Sequence, residues 1–459
     1  MGDRPQGSLP LSPHAMTISR SICLGFLALI TAGTLLLMLP FSHSDGHWGI
    51  LSTALFTATS AVCVTGLSVV DVGQYYSGLG QFFIALMAQV GGLGYMTATT
   101  FLLLLLGRKF RLRDKLAMHQ SLDTSGISGM QHLVKSIIGM TLMLEILGIL
   151  LLLPVFEPDY GLGQGLWMAT FHSINAFNNA GFGLLSNSFM DYATDPLLNV
   201  AITLMIILGG IGYQVLLELY LWGRDRVSQK PIRFTFSLHF KIVTSTTLFL
   251  LFLGTLSFFL TEFNNPATLG TLTVGEKLIA AWFQSVTTRT AGFNTVDLSQ
   301  MTTTSLFLTI AFMFVGASPG STGGGLKTTT LRVLVMCTRA VLQGKEEVLC
   351  YQRKIPMSLI LKAIGGVMAS LLTVIVATIL MSLAAPTQEF LPVLFEVVSA
   401  FATVGLSIGI TAQANLTTQL ILVLVMYVGR VGVLMLMSAL LGDPAPSTLH
   451  YPEEDLLVG

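Results

Sequence analysis

Two residue patterns in this 459-residue chain could do chemistry. The first is the stretch VGASPGSTGGGLKTTT at 315–330, where glycine, serine, proline and a lysine crowd together straight after the apolar run TSLFLTIAFMF. A pliable backbone beside a lysine can cradle phosphate. The P-loop pattern G-x-x-x-x-G-K-[ST] nevertheless fails here, because Leu326 separates Gly325 from Lys327 and no soluble strand precedes the stretch. The second pattern is a set of four short segments: FTATSAVCVTGL (56–67), FHSINAFNNAGF (171–182), WFQSVTTRTAGF (282–293) and FEVVSAFATVGL (395–406). Each opens on an aromatic residue and reaches a glycine ten residues later. Such a glycine can adopt φ > 0 and let successive carbonyls point the same way, and rings of carbonyl oxygen can replace the hydration shell of a monovalent cation.

The shared glycines Gly66, Gly181, Gly292 and Gly405 stand 115, 111 and 113 residues apart, so one unit recurs four times. The elements that must position them are apolar. The chain is 53% hydrophobic and only 10% charged, with a mean hydropathy of +0.75, where a soluble domain carries about 25% charged residues. Eight runs reach spanning length, at about 21–40, 79–106, 134–156, 197–222, 240–261, 304–338, 358–384 and 416–441. The first is long enough to be a retained span and lacks the cleavage site of a secretory signal. Between the two runs of each unit lies one short glycine-ended segment, too polar and too short to cross. The fold class expected is an all-α integral membrane protein: eight transmembrane helices and four re-entrant pore segments around a central pore.

Charge sets the orientation. With 23 basic and 23 acidic residues the chain has no net charge, which removes any general polyanion-binding role. Nineteen of the 23 bases fall at the N-terminus or between units: Arg4 and Arg20, Arg108 to Lys135, Arg224 to Lys241, and Arg332 to Lys362. The positive-inside rule makes those loops and both termini cytoplasmic, so the short segments dip in from outside. An even number of crossings per unit gives all four the same orientation. Inverted-repeat carriers usually have an odd number, which disfavours the alternative of a secondary carrier for a small organic solute. Non-helical backbone at membrane depth must line water or protein, so four glycine-ended loops call for a shared aqueous axis, toward which the short helices aim their negative ends.

On these loops, and especially TATSAVCVTGLSVVDVG and TTRTAGFNTVDL, almost the whole chain resembles the Trk/Ktr/HKT superfamily of potassium transporters, and within it the bacterial KtrB-type membrane subunits. The resemblance implies one polypeptide folded like four fused potassium-channel subunits. It also implies potassium uptake, commonly with sodium dependence, across the bacterial inner membrane. In that family serine in the first loop goes with sodium passage, whereas this chain has glycine in all four loops. The filter role therefore carries onto Val64, Thr65 and Gly66; Asn179, Ala180 and Gly181; Thr290, Ala291 and Gly292; and Thr403, Val404 and Gly405, although only the last three read TVG. The stretch at 316–325 becomes an intramembrane gating loop, with Gly316, Ser318, Pro319, Gly320, Ser321, Gly323, Gly324 and Gly325 as its gate residues. Gly316 follows Gly292 by 24 residues, as Gly429 follows Gly405, which sets the loop just below the filter. The partners implied are a second KtrB-type copy, as a homodimer, and a cytoplasmic ring of KtrA-type nucleotide-binding subunits. The ions expected are potassium and sodium, with no bound organic cofactor.

The expected organisation is a cytoplasmic tail at 1–20, pore repeats at 21–115, 116–233, 234–345 and 346–442, and a cytoplasmic tail at 443–459. Arg430, a lone base in an apolar span, is either a helix-end residue reaching the interface or, with help from the resemblance, an electropositive barrier that bonds loop carbonyls around Gly316 and holds the gate shut. Arg289 is expected to brace its loop against Asp297, Asp71 or Glu396. Asp71 and Asp297, each five residues past a filter glycine, could attract cations at the outer mouth or stand as solvated acids. GGLGY (91–95) and LGGIGYQ (208–214) read as small-residue packing motifs. His172 reads as packed or hydrogen-bonded, and the four scattered cysteines as free thiols. No nucleophile–base set or paired-carboxylate site emerges, so an enzyme is not expected.

Overall fold

The computed structural model describes residues 18–94, 130–228 and 235–442. The first unit holds α1 (Ile18–Met38), α2 (Leu51–Val62), a single turn α3 (Val72–Tyr75) and α4 (Gly78–Leu93). In the second, α5 (Met130–Phe177) contains both the first long segment and the short helix, joined at Gly161 (φ 75°, ψ 167°), and is followed by α6 (Pro196–Ile211) and α7 (Tyr213–Val227). The third consists of α8 (Leu238–Glu262), α9 (Val274–Thr287), α10 (Thr303–Phe314) and α11 (Thr328–Leu342). A two-stranded antiparallel hairpin, β1 (Leu349–Cys350) with β2 (Arg353–Lys354), leads to α12 (Met357–Ala384), α13 (Phe390–Phe401), α14 (Leu416–Val431) and α15 (Val433–Leu441). The basic residues Arg4, Arg108, Lys109, Arg111, Arg113, Lys115, Lys230 and Arg233, and the C-terminal tail at 443–459, lie outside the described residues.

Each unit is thus a long helix, a short helix and a second apolar helix. Ser19–Met38, Val134–Phe177, Leu238–Glu262 and Met357–Ala384 are long and apolar enough to cross a bilayer. Their exposed faces are stripes of large apolar side chains, such as Leu142, Ile146 and Leu150 on α5 and Phe249, Phe252 and Leu256 on α8. The interior near the axis is polar instead: Thr57, Thr59, Ser60, Asn175, Asn178, Thr287, Ser399 and Thr403 are all buried. This inversion of the soluble pattern is what a lipid solvent selects.

The second helix of each unit starts on a side-chain cap: Ser77 for α4, Asp195 for α6, Thr302 for α10 and Asn415 for α14. None of these helices then runs on as the uninterrupted span that hydropathy suggests. The chain bends by 104° between α6 and α7 and by 91° between α14 and α15, while α4 stops at Gly94 and α10 at Phe314. Gly94, Gly212 and Gly432 carry φ of 79°, 96° and 88°, a region that terminates helices and that glycine enters at little cost.

Glu262 closes one end of the third unit. Its buried carboxylate accepts from Asn265 Nδ2 (2.7 Å), Thr268 Oγ1 (2.5 Å), Thr302 N (2.9 Å) and Thr302 Oγ1 (2.7 Å), which ties the end of α8 to the start of α10. The four cysteines carry free thiols, as their scatter suggested.

Candidate functional site: a ring of four glycine loops and the loop beneath it

The short helices end at Val62, Phe177, Thr287 and Phe401, four or five residues before the shared glycines. From there the four loops repeat one backbone conformation. The glycines have φ of 91° (Gly66), 69° (Gly181), 82° (Gly292) and 91° (Gly405). Two residues earlier, Val64, Asn179, Thr290 and Thr403 have φ of 58°, 56°, 71° and 51°. Three of those four are β-branched, for which a left-handed conformation is a genuine outlier costing of order 1–3 kcal/mol. A left-handed residue recurring at one register position in four different sequences makes that position a candidate functional feature.

The intervening amides show which way the backbone faces. The N–H of Thr65, Ala180, Ala291 and Val404 donates back into its own short helix, to Ser60 O (2.7 Å), Asn175 O (2.8 Å), Thr287 O (3.0 Å) and Ser399 O (2.8 Å). In loops 1 and 4 the glycine N–H does the same, to Ser60 Oγ (3.0 Å) and Ser399 Oγ (3.1 Å). A trans peptide holds its C=O opposite its N–H. The carbonyls of Val64, Asn179, Thr290 and Thr403, and those of Thr65 and Val404, therefore face away from the helices that support them.

These faces meet. A methyl group built on Gly66 would stand 2.5 Å from Ala180 O, one on Gly181 2.9 Å from Ala291 O, and one on Gly292 2.5 Å from Val404 O, while one on Gly405 would overlap Thr65 O. Each glycine thus abuts the carbonyl preceding the next, in the order 66, 181, 292, 405 and back to 66. Thr65, Gly66, Ala180, Gly181, Ala291, Gly292, Val404 and Gly405 make the contacts of this closed ring, and Val64, Asn179, Thr290 and Thr403 adjoin them in the chain.

Below it lies the loop at 315–327, the break in the third unit. Val315 and Leu326 form an isolated bridge, and Ala317 N donates to Gly324 O (3.3 Å), so the loop doubles back on itself. Gly323 abuts the side chain of Thr290, Gly324 that of Thr403, and a methyl on Gly325 would stand 3.2 Å from Ala402 Cβ. Glycine is required at these positions because any side chain would occupy space held by the loops above. The opposite limb binds the bend of the second unit. Ser318 N donates to Gly210 O (3.0 Å), Thr322 N to Gly209 O (3.3 Å), and Tyr213 N to Gly320 O (3.0 Å). Thr322 Oγ1 donates to Phe177 O (3.2 Å), an otherwise orphaned carbonyl at a short-helix end. A methyl on Gly212 would stand 2.6 Å from Pro319 O. Ser321 Oγ donates to Ser318 O (2.6 Å), Ser318 Oγ meets Thr328 Oγ1 (2.9 Å), and Gly316 packs on Gly324 and Gly325.

Arg430, partly buried on the last turn of α14, donates to the carbonyls of Thr322 and Gly91, with Gly92 O 3.4 Å away. It therefore bonds a carbonyl of the loop and one of the first unit at once. Its loop acceptor is Thr322 rather than a carbonyl around Gly316, because the doubled-back loop presents its second limb to α14. Lys327 Nζ, which no sequence argument placed here, donates to Gly323 O (2.8 Å). On the side away from the ring a cavity of about 1000 Å³ opens, lined by Gly320, Gly323, Lys327, Lys362 and Arg430 among others.

One sequence expectation changes and two stand. Among the described residues no ion pair joins Arg289 to Asp71, Asp297 or Glu396; it sits instead just past the C-terminal end of α9, where the helix dipole supplies negative partial charge. Asp71 caps α3 by accepting from Gln74 N (3.1 Å), and Asp297 accepts from Ser299 N (2.9 Å), so both turn their loops from solvent-facing positions, in keeping with solvated acids. The glycine motifs at 91–95 and 208–214, of which Tyr95 lies outside the described residues, serve close packing as their small residues suggest: Gly91 packs on Val62 O at the end of α2, Gly209 on Phe177 O at the end of the short helix of α5 and, in the fourth unit, Gly429 on Phe401 O at the end of α13.

Four like loops closed into a ring among apolar helices define a multi-pass membrane protein of the cation-transport class. The family profile described as "TrkH: Cation transport protein" matches residues 12–442, and the chain belongs to that family. It is 37% identical to Ktr system potassium uptake protein B of Bacillus subtilis strain 168, over 95% of this chain and 96% of the relative. It is 38% identical to the protein of the same name from Vibrio alginolyticus, over 96% and 94%, and 35% identical to potassium/sodium uptake protein NtpJ of Enterococcus hirae, over 95% and 96%. The fold matches the crystal structure of the potassium transporter TrkH from Vibrio parahaemolyticus with a TM-score of 0.74, at 18% identity, covering 95% of this chain and 86% of that one. The chain is accordingly a transport protein and not an enzyme.

Proposed function

We propose that this protein takes up potassium across the bacterial inner membrane, with its termini cytoplasmic, through the ring formed by residues 64–66, 179–181, 290–292 and 403–405. The observation that carries the reading is the four-fold repetition of a left-handed residue, an amide tied back to its own helix, and a glycine abutting the next loop. Such a backbone offers rings of carbonyl oxygen, which suit a dehydrated alkali cation and need no carboxylate. The names of the relatives support potassium as the ion, and NtpJ supports sodium as a second ion that the protein responds to.

The loop at 316–325 is the gate in this reading. It lies against the threonines of loops 3 and 4, and Arg430 holds it by the carbonyl of Thr322. A guanidinium under the ring repels cations while the loop is in place. The family resemblance supports a homodimer with a cytoplasmic ring of KtrA-type nucleotide-binding subunits that moves the gate. Purified protein in liposomes, loaded with potassium and given external rubidium, tests the reading: rubidium should enter and sodium should compete weakly. Absence of alkali-ion flux with and without a KtrA-type partner, in vesicles shown to contain folded protein, would overturn it.

A further inference from the structure

Nine residues before each filter glycine stand Thr57, His172, Phe283 and Glu396, one in each short helix. In two of the four units this side chain does the same thing with different chemistry. His172 Nε2 accepts the backbone N–H of Leu184 (3.2 Å), three residues past Gly181. Its other nitrogen bonds Met168 O (2.8 Å), so Nδ1 carries the proton and Nε2 is the acceptor. Glu396 Oε1 accepts the backbone N–H of Ile408 (3.2 Å), likewise three residues past Gly405. That carboxylate also takes Ser407 Oγ (2.5 Å) and Thr411 Oγ1 (2.7 Å), and only donors bond it. Both residues are fully buried, and the His172 ring is fixed by Phe156, stacked at 5.4 Å, with Phe189 at 5.0 Å.

The other two units lack the link. Thr57 Oγ1 accepts from Tyr76 OH (3.2 Å), a side chain beyond the loop, and Phe283 has no acceptor, its loop being held by Thr287 Oγ1 on Phe293 O (2.5 Å). In the ring order set by the glycine contacts, Gly181 and Gly405 each adjoin Gly66 and Gly292 but not each other, so they face one another across the axis. The pair of clamped loops therefore lies on one diagonal of the ring and the unclamped pair on the other.

We propose that His172 and Glu396 are positioning residues that fix the ascending limbs of loops 2 and 4, and so set the ring's discrimination among alkali cations along one diagonal. The proposal rests on the conduction reading above. Neither residue touches the ion; each acts through the backbone amide it holds, whose loss leaves a buried donor unpaired and the loop free to shift.

The test measures the potassium-to-sodium and potassium-to-rubidium flux ratios in liposomes, per unit of folded protein, for His172→Leu, His172→Gln, Glu396→Leu and Glu396→Gln, with Phe283→Leu as the equivalent position that makes no clamp. The Leu variants should lower the potassium-to-sodium ratio by about fivefold or more, the change expected on losing one ordinary hydrogen bond. The Gln variants, which keep an acceptor oxygen, should restore most of it, and Phe283→Leu should leave it in place. Folded Leu variants with the parental ratio would overturn the proposal, as would an equal change in Phe283→Leu. Should the Leu variants fail to fold, the shortened side chains of His172→Asn and Glu396→Asp must move the ratio in the same direction, and an unchanged ratio in them overturns it too. A parental protein that passes no alkali ion would instead overturn the conduction reading.

Discussion

Gly324 lies flat against Thr403: a methyl group on it would stand 3.1 Å from the threonine Cγ2 and closer still to its hydroxyl. One is a residue of the 315–327 loop and the other is the left-handed residue of the fourth glycine loop, so loop and ring share a van der Waals surface with no room between them. Any side chain at 324 must push one away from the other.

The limb at 323–325 bonds within its own loop, through Ala317 N on Gly324 O and Lys327 Nζ on Gly323 O, whereas the fourth glycine loop is tied to α13 by Val404 N and Gly405 N. Gly324→Ala is therefore expected to lift the loop and raise basal rubidium entry several-fold, with the ion preference of the ring kept. Flux assays on reconstituted protein, with and without regulatory subunits, check this: the variant should be less dependent on them.

Removing Arg430 releases the same loop from below. Arg430→Ala deletes donors to Thr322 O and Gly91 O, and charge-assisted hydrogen bonds contribute about 1.5–3 kcal/mol each. A shift of that size in the equilibrium of the loop should raise basal flux about tenfold or more, and Arg430→Lys should fall between. A variant that folds to the parental melting temperature and conducts at the parental rate would exclude the latch.

The ring itself should tolerate no side chain. Gly66→Ala must hold a φ near 91° and place its methyl 2.5 Å from Ala180 O. Left-handed backbone alone costs a non-glycine residue about 1–2 kcal/mol. Potassium flux should fall at least about tenfold, and the surviving flux should discriminate poorly against sodium, as read by competition in the same vesicles.

Glu262 offers a stability test remote from the pore. Glu262→Ala leaves four donors, Asn265 Nδ2, Thr268 Oγ1, Thr302 N and Thr302 Oγ1, without their acceptor. At about 1–3 kcal/mol for an unpaired buried donor, a loss of about 3 kcal/mol in total is expected. Thermal unfolding in detergent should show a lowered midpoint while flux per folded molecule stays near parental.

The fourfold plan was legible because two signals of different period agree. Runs of spanning length set the helices, and an aromatic-to-glycine interval of ten residues, repeated at near-constant spacing, set the loops. The positions of the four glycines and of the 315–327 break were readable for the same reason, since glycine at membrane depth needs a backbone explanation. The bends at Gly212 and Gly432 were not, because hydropathy averages over a window and passes smoothly across a single glycine. The acceptors of Arg430 depend on how the loop doubles back, which local composition does not encode. The shared offset of His172 and Glu396 was present in the stacked repeats, but an imidazole and a carboxylate look unlike until both are seen to accept the same backbone amide.

Because the ring is assembled from four unlike stretches of one polypeptide, a single codon change alters one quadrant of it and leaves three untouched. Valine, asparagine and threonine occupy the same strained position in different quadrants. With the ring as the proposed path for potassium, such a chain can explore graded changes in ion preference one wall at a time, a route closed to any pore whose walls are copies of a single sequence.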